Sequence, residues 1–254
     1  MSYPTFSLEG KVAMLTGASR GIGRYMASGL AKYGADVIVT DLAVSELEEA
    51  AEEVKQQGRR SLAIPMDITR LEDIKSGVEQ AYRTFKRIDI LVNNAGINIP
   101  KPALEVTEED WRRVIDTNLT GLFFCCQAVG RIMIKQKRGK IINISSQTGT
   151  VAIELRAAYC ASKAGVNLVT KVLALEWGPY NINVNAVAPT FIETPMTKPM
   201  FENAAFKEMV LNKILLKRIG QPKDVFGAVI YLASEASDLV TGHVLLVDGG
   251  WTAH

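Results

Sequence analysis

Apolar residues along this chain fall into short continuous runs separated by longer stretches of helical spacing. The runs are "KVAMLTG", "ADVIVTD", "SLAIPMD", "IDILVNNAG", "KIINISS", "INVNAVAP" and "HVLLVDGG". Most are apolar throughout rather than at every second position, the pattern of strands covered on both faces. Between them, "VSELEEAAEEVKQQG" carries its charges on one side and closes at Gly58. "TEEDWRRVIDTNLTGLFFCCQAVGRIMIKQKRG" opens with a Thr107 cap and acids in its first turn, and closes at Gly139. The alternation predicts an α/β protein, a doubly wound parallel sheet of seven strands with helices on both faces, in a single domain over residues 1–254.

Two stretches depart from this rhythm. The long helix is apolar on more than one side from Leu119 to Val129, which calls for burial either in this chain's own core or against a second subunit. Between the sixth and seventh strands, residues 190–220 mix Pro, Met and Phe without a clean period. In a doubly wound sheet the crevice lies outside the carboxyl ends of the strands, so an insertion there is placed to close over a substrate.

Composition narrows the function classes. Of 254 residues, 48% are apolar, and the formal charge of +2 comes from interspersed acids and bases, so nothing demands nucleic acid or an anionic membrane. Basic residues thicken between Lys198 and Lys223 (Lys207, Lys213, Lys217, Arg218), either as a solvated helix face or to meet an anionic substrate. Three cysteines, with neighbours Cys125 and Cys126 pointing apart on a helix, fit a reducing compartment. The opening "MSYPTFSLEGK" shows no signal pattern, and no run approaches a bilayer span, so a cytoplasmic protein is expected. His243 and His254 are the only histidines, too few for a His-based metal site or a Ser-His-Asp triad; no metal is expected.

"LTGASRGIG" follows the first strand and opens a helix. Gly17, Gly21 and Gly23 would allow a tight turn, close approach of a pyrophosphate and close packing of helix on strand, with the helix N-terminus facing the phosphates. Asp41 ends the second strand, where a carboxylate accepts both adenine-ribose hydroxyls and repels a 2'-phosphate; Leu42 beside it offers no cation. That favours NAD over NADP. Arg20, inside the turn, is the opposing signal.

In "AAYCASKAG" the phenol of Tyr159 and the ammonium of Lys163 are four apart and share a helix face. Free Tyr titrates near pH ~10; an ammonium about 4 Å away at intermediate dielectric contributes roughly 4 kcal/mol, about three pK units, making the phenol an acid or base near neutrality. The spacing also arises by accident on surfaces. Ser146, thirteen residues earlier, ends the fifth strand at the same sheet edge as the glycine turn.

With "TGASRGIG", "NNAG" at 93–96, Asn118 in the long helix, "SS" at 145–146, "YCASK" and the closing "VDGG", the chain resembles the short-chain dehydrogenase/reductase family over almost its full length. The resemblance implies a Rossmann fold and a catalytic tetrad: Tyr159 as general acid/base, Ser146 bonding the reacting oxygen, Lys163 binding the nicotinamide ribose and lowering the Tyr pKa, and Asn118 holding a relay water. It implies that Asp67, Ile68 and Asn94 line the adenosine half and that Thr194 reaches the carboxamide, with Ser19, Ile22, Ala95, Gly96, Pro189, Thr190 and Ile192 completing the cofactor contacts. From the residues alone, Asn93 and Asn94 serve equally to satisfy a turn, and Asn118 to brace its helix. Pro189-Thr190 departs from the family's usual Pro-Gly, placing a Cβ near the nicotinamide pocket.

The expected reaction moves a hydride between a carbinol carbon and nicotinamide while Tyr159 handles the hydroxyl proton. Glu154 and Arg156, in the loop before Tyr159, are candidate substrate contacts. Arg156 would hold a carboxylate, phosphate or sulfonate, unless it is a surface charge or an intersubunit ion pair. A polar loop and an NAD preference point to a sugar, sugar acid or small polyol, as in the similar gluconate and deoxygluconate dehydrogenases of the family. The alternatives are an NADPH-dependent 3-oxoacyl-carrier-protein reductase, needing a basic docking face near Arg131, Lys135 and Lys137, and a non-catalytic NAD sensor. The resemblance further implies a homotetramer, with the tail "WTAH" reaching a neighbour.

Overall fold

The computed structural model describes residues 3–195 and 197–253. Among these, seven parallel strands form one sheet in the order β3-β2-β1-β4-β5-β6-β7: β1 Val12–Thr16, β2 Asp36–Asp41, β3 Ser61–Pro65, β4 Ile90–Asn93, β5 Gly139–Ile144, β6 Ile182–Pro189 and β7 Val244–Val247. Each expected strand is present, and Pro65 lies at the end of an edge strand, where a missing N–H costs least.

The sheet buries both faces because successive side chains point to opposite sides. On β1, Ala13 and Leu15 enter a core with α1 (Gly21–Lys32), α2 (Val44–Gln56) and α8 (Pro222–Ala233). Val12 and Met14 enter the other, with α3 (Leu71–Phe85), α5 (Leu122–Gln136) and α6 (Ala157–Trp177). In the second core a polar ladder crosses the sheet. Asn93 on β4 donates to the Asn143 amide oxygen at 2.9 Å, and Asn143 donates to the Thr170 hydroxyl of α6 at 2.9 Å. All three are buried.

The long helix departs from expectation. Thr107 caps α4 (Glu108–Ile115) in a reciprocal box with Asp110, but Asp116–Gly121 forms a π-helical turn before α5 resumes. The helix then ends at Lys137 in the left-handed conformation (φ 54°), not at Gly139. Gly139 instead starts β5, where a Cβ would fall 2.3 Å from the Met133 sulfur. The apolar middle is partly accounted for within the chain: Leu122, Cys125, Cys126 and Val129 are buried in the second core.

Residues 190–220 leave β6 and return through a bridge between Ile192 and Gly220, carrying α7 (Ala204–Lys213). A small aromatic core holds this excursion, with Phe191 5.6 Å from Phe206, 6.2 Å from Phe201 and 5.7 Å from Trp251 between ring centres. Trp251 is buried there, so this part of the expected subunit-reaching tail packs within its own chain; His254 lies outside the described residues.

Candidate active site

The glycine turn leaves β1 and enters α1 beside the point where strand order reverses, with β2 on one side and β4 on the other. Gly17 (φ 66°) and Gly21 (φ 57°) adopt backbone angles that disfavour a side chain. At Gly23 a Cβ would stand 1.9 Å from the Gly17 carbonyl oxygen, and at Gly17 2.8 Å from Ala95 Cα. At Gly21 nothing lies nearer than Thr194 at 3.7 Å. Helix α1 begins after Arg20 without a side-chain cap, so its first N–H groups remain for an anion. An open cradle, an uncapped helix and a carboxylate at the end of β2 fit a dinucleotide's pyrophosphate and adenosine ribose.

That carboxylate already ties the turn together. Asp41 accepts from the Ser19 amide (3.0 Å) and hydroxyl (2.6 Å) and from the Leu42 amide (2.7 Å). A carboxylate has about four lone-pair sites, so capacity remains for ribose hydroxyls. Arg20 is exposed and forms no ion pair among the described residues; Ile22 packs its partly buried side chain on the first core. Asn94 donates to the carbonyls of Thr16 (3.2 Å) and Gly17 (2.8 Å), and Ala95 donates to the Thr16 hydroxyl, which fixes the turn against β4. Asp67 caps its own turn through Thr69, and the buried Ile68 lies against Gly121 of the π turn.

The chemical residues converge where β4, β5 and α6 meet. Lys163, buried, donates its Nζ to the Ile144 carbonyl at 2.8 Å, and lies 3.7 Å from where a Cβ on Gly96 would be. Its Nζ stands 5.6 Å from the centre of the Tyr159 ring. Burial pulls the ammonium down to about 8. The expectation that Lys163 acidifies the phenol fails for the protein alone. Burial pushes Tyr159 up, while a hydrogen bond from Ser146 and the charge of Arg156 oppose without cancelling it. The ammonium has turned to a backbone acceptor instead of the phenolic oxygen.

Asn118 is placed by the π turn, and π turns frequently mark functional sites. Its side chain forms a two-way pair with Ile97, accepting from the amide (2.8 Å) and donating to the carbonyl (2.9 Å), and also donates to Ser162. It braces the strand end after β4 against α6, the bracing alternative, but across two elements instead of within its own helix. Ser146 is held by a network the sequence did not announce. The Ser145 hydroxyl donates to Asn167 (2.6 Å), Asn167 donates to the Gly149 carbonyl (3.2 Å), and the Ser146 hydroxyl accepts from the Thr148 amide (3.2 Å). Only the four-residue spacing of Lys163 and Asn167 hinted at it.

On the nicotinamide side, Pro189 ends β6 and the Thr190 amide donates to Val247 of β7 at 3.1 Å, while the Thr190 hydroxyl is buried without a partner. Ile192 is buried, and Thr194 bonds Thr197, fixing the start of the excursion above the glycine turn. On the substrate side Glu154 is exposed and offers its carbonyl to Arg156 at 3.0 Å. Arg156 is only 7% exposed, which removes the reading of a solvated surface charge. Cys125 and Cys126 are buried and unbonded as disulfides; burial raises Cys125 to about 12. Among the described residues no cluster of three His, Cys, Asp or Glu is placed to hold a metal, and no helix is long and apolar enough to cross a membrane.

A glycine turn built for a dinucleotide, facing a half-buried Tyr159, a buried Lys163 and a strand-end Ser, defines an oxidoreductase that uses a nicotinamide cofactor and acts on CH–OH groups. A family model described as enoyl-(acyl carrier protein) reductase matches residues 17–252. The chain is 43% identical over 249 residues to 2-dehydro-3-deoxy-D-gluconate 5-dehydrogenase of Bacillus subtilis, covering 98% of this chain and 97% of that one. It is 42% identical to 3-oxoacyl-[acyl-carrier-protein] reductase of Thermotoga maritima, covering 96% and 98%. A solved gluconate 5-dehydrogenase from Burkholderia cenocepacia, in complex with NADP and tartrate, superimposes with a TM-score of 0.95 at 36% identity, covering 98% of each chain. The chain belongs to the short-chain dehydrogenase/reductase family. It interconverts a secondary alcohol and a ketone.

Proposed function

We propose that the enzyme acts on the secondary hydroxyl of a sugar acid and prefers NAD. The carrying observation is the convergence of Ser146, Tyr159 and Lys163 beside the glycine turn, with Arg156 buried three residues before Tyr159. A bound nicotinamide supplies the hydride acceptor. In oxidation the Tyr159 phenolate would take the carbinol proton and become the phenol, and in ketone reduction the phenol would return it. The Ser146 hydroxyl donates to the reacting oxygen, and Lys163 keeps positive charge near the ribose hydroxyls and the phenolate form. Asn118, engaged by Ile97, fixes the backbone where a relay water would sit.

The sugar-acid reading draws on the gluconate and deoxygluconate relatives and on polar atoms with no partner, Thr148 Oγ1 and Asn98 Oδ1, which suit a hydroxylated ligand. The NAD preference draws on the Asp41 carboxylate and on Leu42, which is 65% exposed and brings no cation. Arg20 and the NADP held by the Burkholderia protein weigh the other way. The second reading, a 3-oxoacyl-carrier-protein reductase, is favoured by the Thermotoga relative and by the exposure of Arg131, Lys135 and Lys137. A non-catalytic sensor is set aside by membership of an enzyme family with its tetrad present.

Residues 190–220 act as the substrate loop in this reading, within one domain. An exposed apolar stripe on α6, Leu168, Val172 and Leu175, supports a homotetramer, and the unpaired cysteines support a cytoplasmic setting. The test is Tyr159→Phe with both cofactors. Turnover of gluconate-type substrates should fall more than 1,000-fold while the NADH dissociation constant stays within threefold. Retained turnover removes Tyr159 from the chemistry, and a kcat/KM favouring NADPH with acyl thioesters replaces the first reading by the second.

A further inference from the structure

Arg156 is a buried cation without a counter-ion. Among the described residues no carboxylate lies within ion-pair distance, and its guanidinium makes one side-chain hydrogen bond, to the Glu154 carbonyl at 3.0 Å. Buried charges are ordinarily paired, because taking a lone ion out of water costs several kcal/mol. Two aromatic rings of the 190–220 excursion cover it instead, Phe191 at 5.8 Å and Phe206 at 6.0 Å from the guanidinium carbon. Cation–π contact offsets part of the desolvation but leaves most of the five N–H donors unused.

The loops that follow β4 and β5 also carry unmet hydrogen-bonding capacity. Arg156 occupies the N-cap of α6, and no side chain caps that helix. Thr148, whose amide bonds the Ser146 hydroxyl, is buried with its own hydroxyl unpartnered. Asn98 follows Ile97, which is bonded to Asn118, and precedes Lys101, whose amide donates to Leu155 at 2.9 Å; its amide oxygen is also buried and unpartnered. Tyr159 is three residues along, in the first turn of the same helix, and the Arg156 charge acts on its phenol.

We propose that Arg156 is the anion anchor of the substrate site: its guanidinium, under the Phe191 and Phe206 roof, holds the carboxylate of a small hydroxy acid, with Thr148 and Asn98 bonding its remaining hydroxyls. A planar guanidinium takes a carboxylate through two parallel hydrogen bonds, which selects acids over isosteric neutral alcohols. The unpaired charge disfavours an acyl chain at the same place. This rests on the reading of the cleft as an alcohol-oxidising site, and binding without turnover separates the two.

The probes are L-tartrate and its neutral counterpart L-threitol, titrated calorimetrically into the NADH-loaded protein and its variants. Tartrate should bind and threitol should bind at least tenfold more weakly. Arg156→Gln should weaken tartrate at least tenfold with threitol and NADH affinities unchanged, and Arg156→Lys should lie between. If Arg156→Gln does not fold, a Lys variant equal to the parent overturns the anchor. So does tartrate binding that survives Arg156→Gln, or a parent that does not distinguish the probes. Failure of every secondary alcohol to turn over, with Arg156-dependent tartrate binding intact, would overturn the sugar-acid function and leave the anchor standing.

Discussion

Lys163 donates to the carbonyl of Ile144, the last residue of β5, across 2.8 Å in a buried site. The bond pins α6 to the strand that delivers Ser146, so ammonium and hydroxyl are positioned by one contact. It also leaves a cation where it is costly to keep.

Lys163→Met should stabilise the protein while abolishing turnover. The folded ammonium titrates near 8 against an ordinary 10.5, so between those values the unfolded chain binds more protons and stability rises with pH. The burden below pH 8 is about 3 kcal/mol, of which the lost bond to Ile144 gives back about 1. A gain of about 1–2 kcal/mol at pH 7, shrinking toward pH 10.5, should appear in paired denaturant titrations. A variant less stable at every pH would show the ammonium to be a net structural asset.

Phenolate absorbance should separate the protein's contribution from the cofactor's. Because burial raises Tyr159, the difference spectrum between parent and Tyr159→Phe should show its ionisation at a higher pH than that of a free tyrosine when no cofactor is added. Arg156→Gln should move it higher still, since that guanidinium favours the phenolate. Addition of NAD should bring it down. A phenolate signal near neutrality in the protein alone would contradict this balance.

Gly23→Ala and Gly21→Ala should differ sharply. The first drives a Cβ to 1.9 Å from a backbone oxygen and should cost about 2–3 kcal/mol with loss of dinucleotide binding. The second meets only ordinary contact with Thr194 at 3.7 Å and a left-handed φ, about 1–2 kcal/mol. Thermal denaturation and NADH titration of the pair give the order; a reversed order would misplace the helix on its turn.

Asp41→Asn should lower kcat/KM for NAD about tenfold and leave NADP equal or improved, since the repulsion goes while Arg20 remains. Part of the NAD loss would come from a looser turn, because Ser19 and Leu42 bond that carboxylate. Equal losses for both cofactors would show that Asp41 serves only the turn.

The strands were legible because full burial writes itself as unbroken apolar runs, and the glycine turn because backbone angles and contacts at Gly17 and Gly23 admit nothing else. The π turn at Asp116–Gly121 was not, since "DTNLTG" keeps a helical period and one extra residue per turn leaves no compositional mark. The helix stop at Lys137 was misread because its left-handed angle falls on a lysine, two residues before the glycine that should have taken it. Tyr159 and Lys163 were found by spacing, but the direction of the Lys163 N–H bonds depended on a carbonyl nineteen residues away in sequence. The isolation of Arg156 required knowing which carboxylates the fold keeps away from it.

The amide ladder of Asn93, Asn143 and Thr170 has a consequence for how the chain avoids misassembly. Parallel strands of Val and Ile tolerate sliding, because one aliphatic side chain replaces another at little cost. If β4 slid by one residue against β5, about 3.3 Å, Asn93 would leave Asn143 and their buried hydrogen bond would be lost. The ladder therefore works as a proofreading device: only the alignment that brings the loops after β4 and β5 level with each other closes the bond between Asn93 and Asn143.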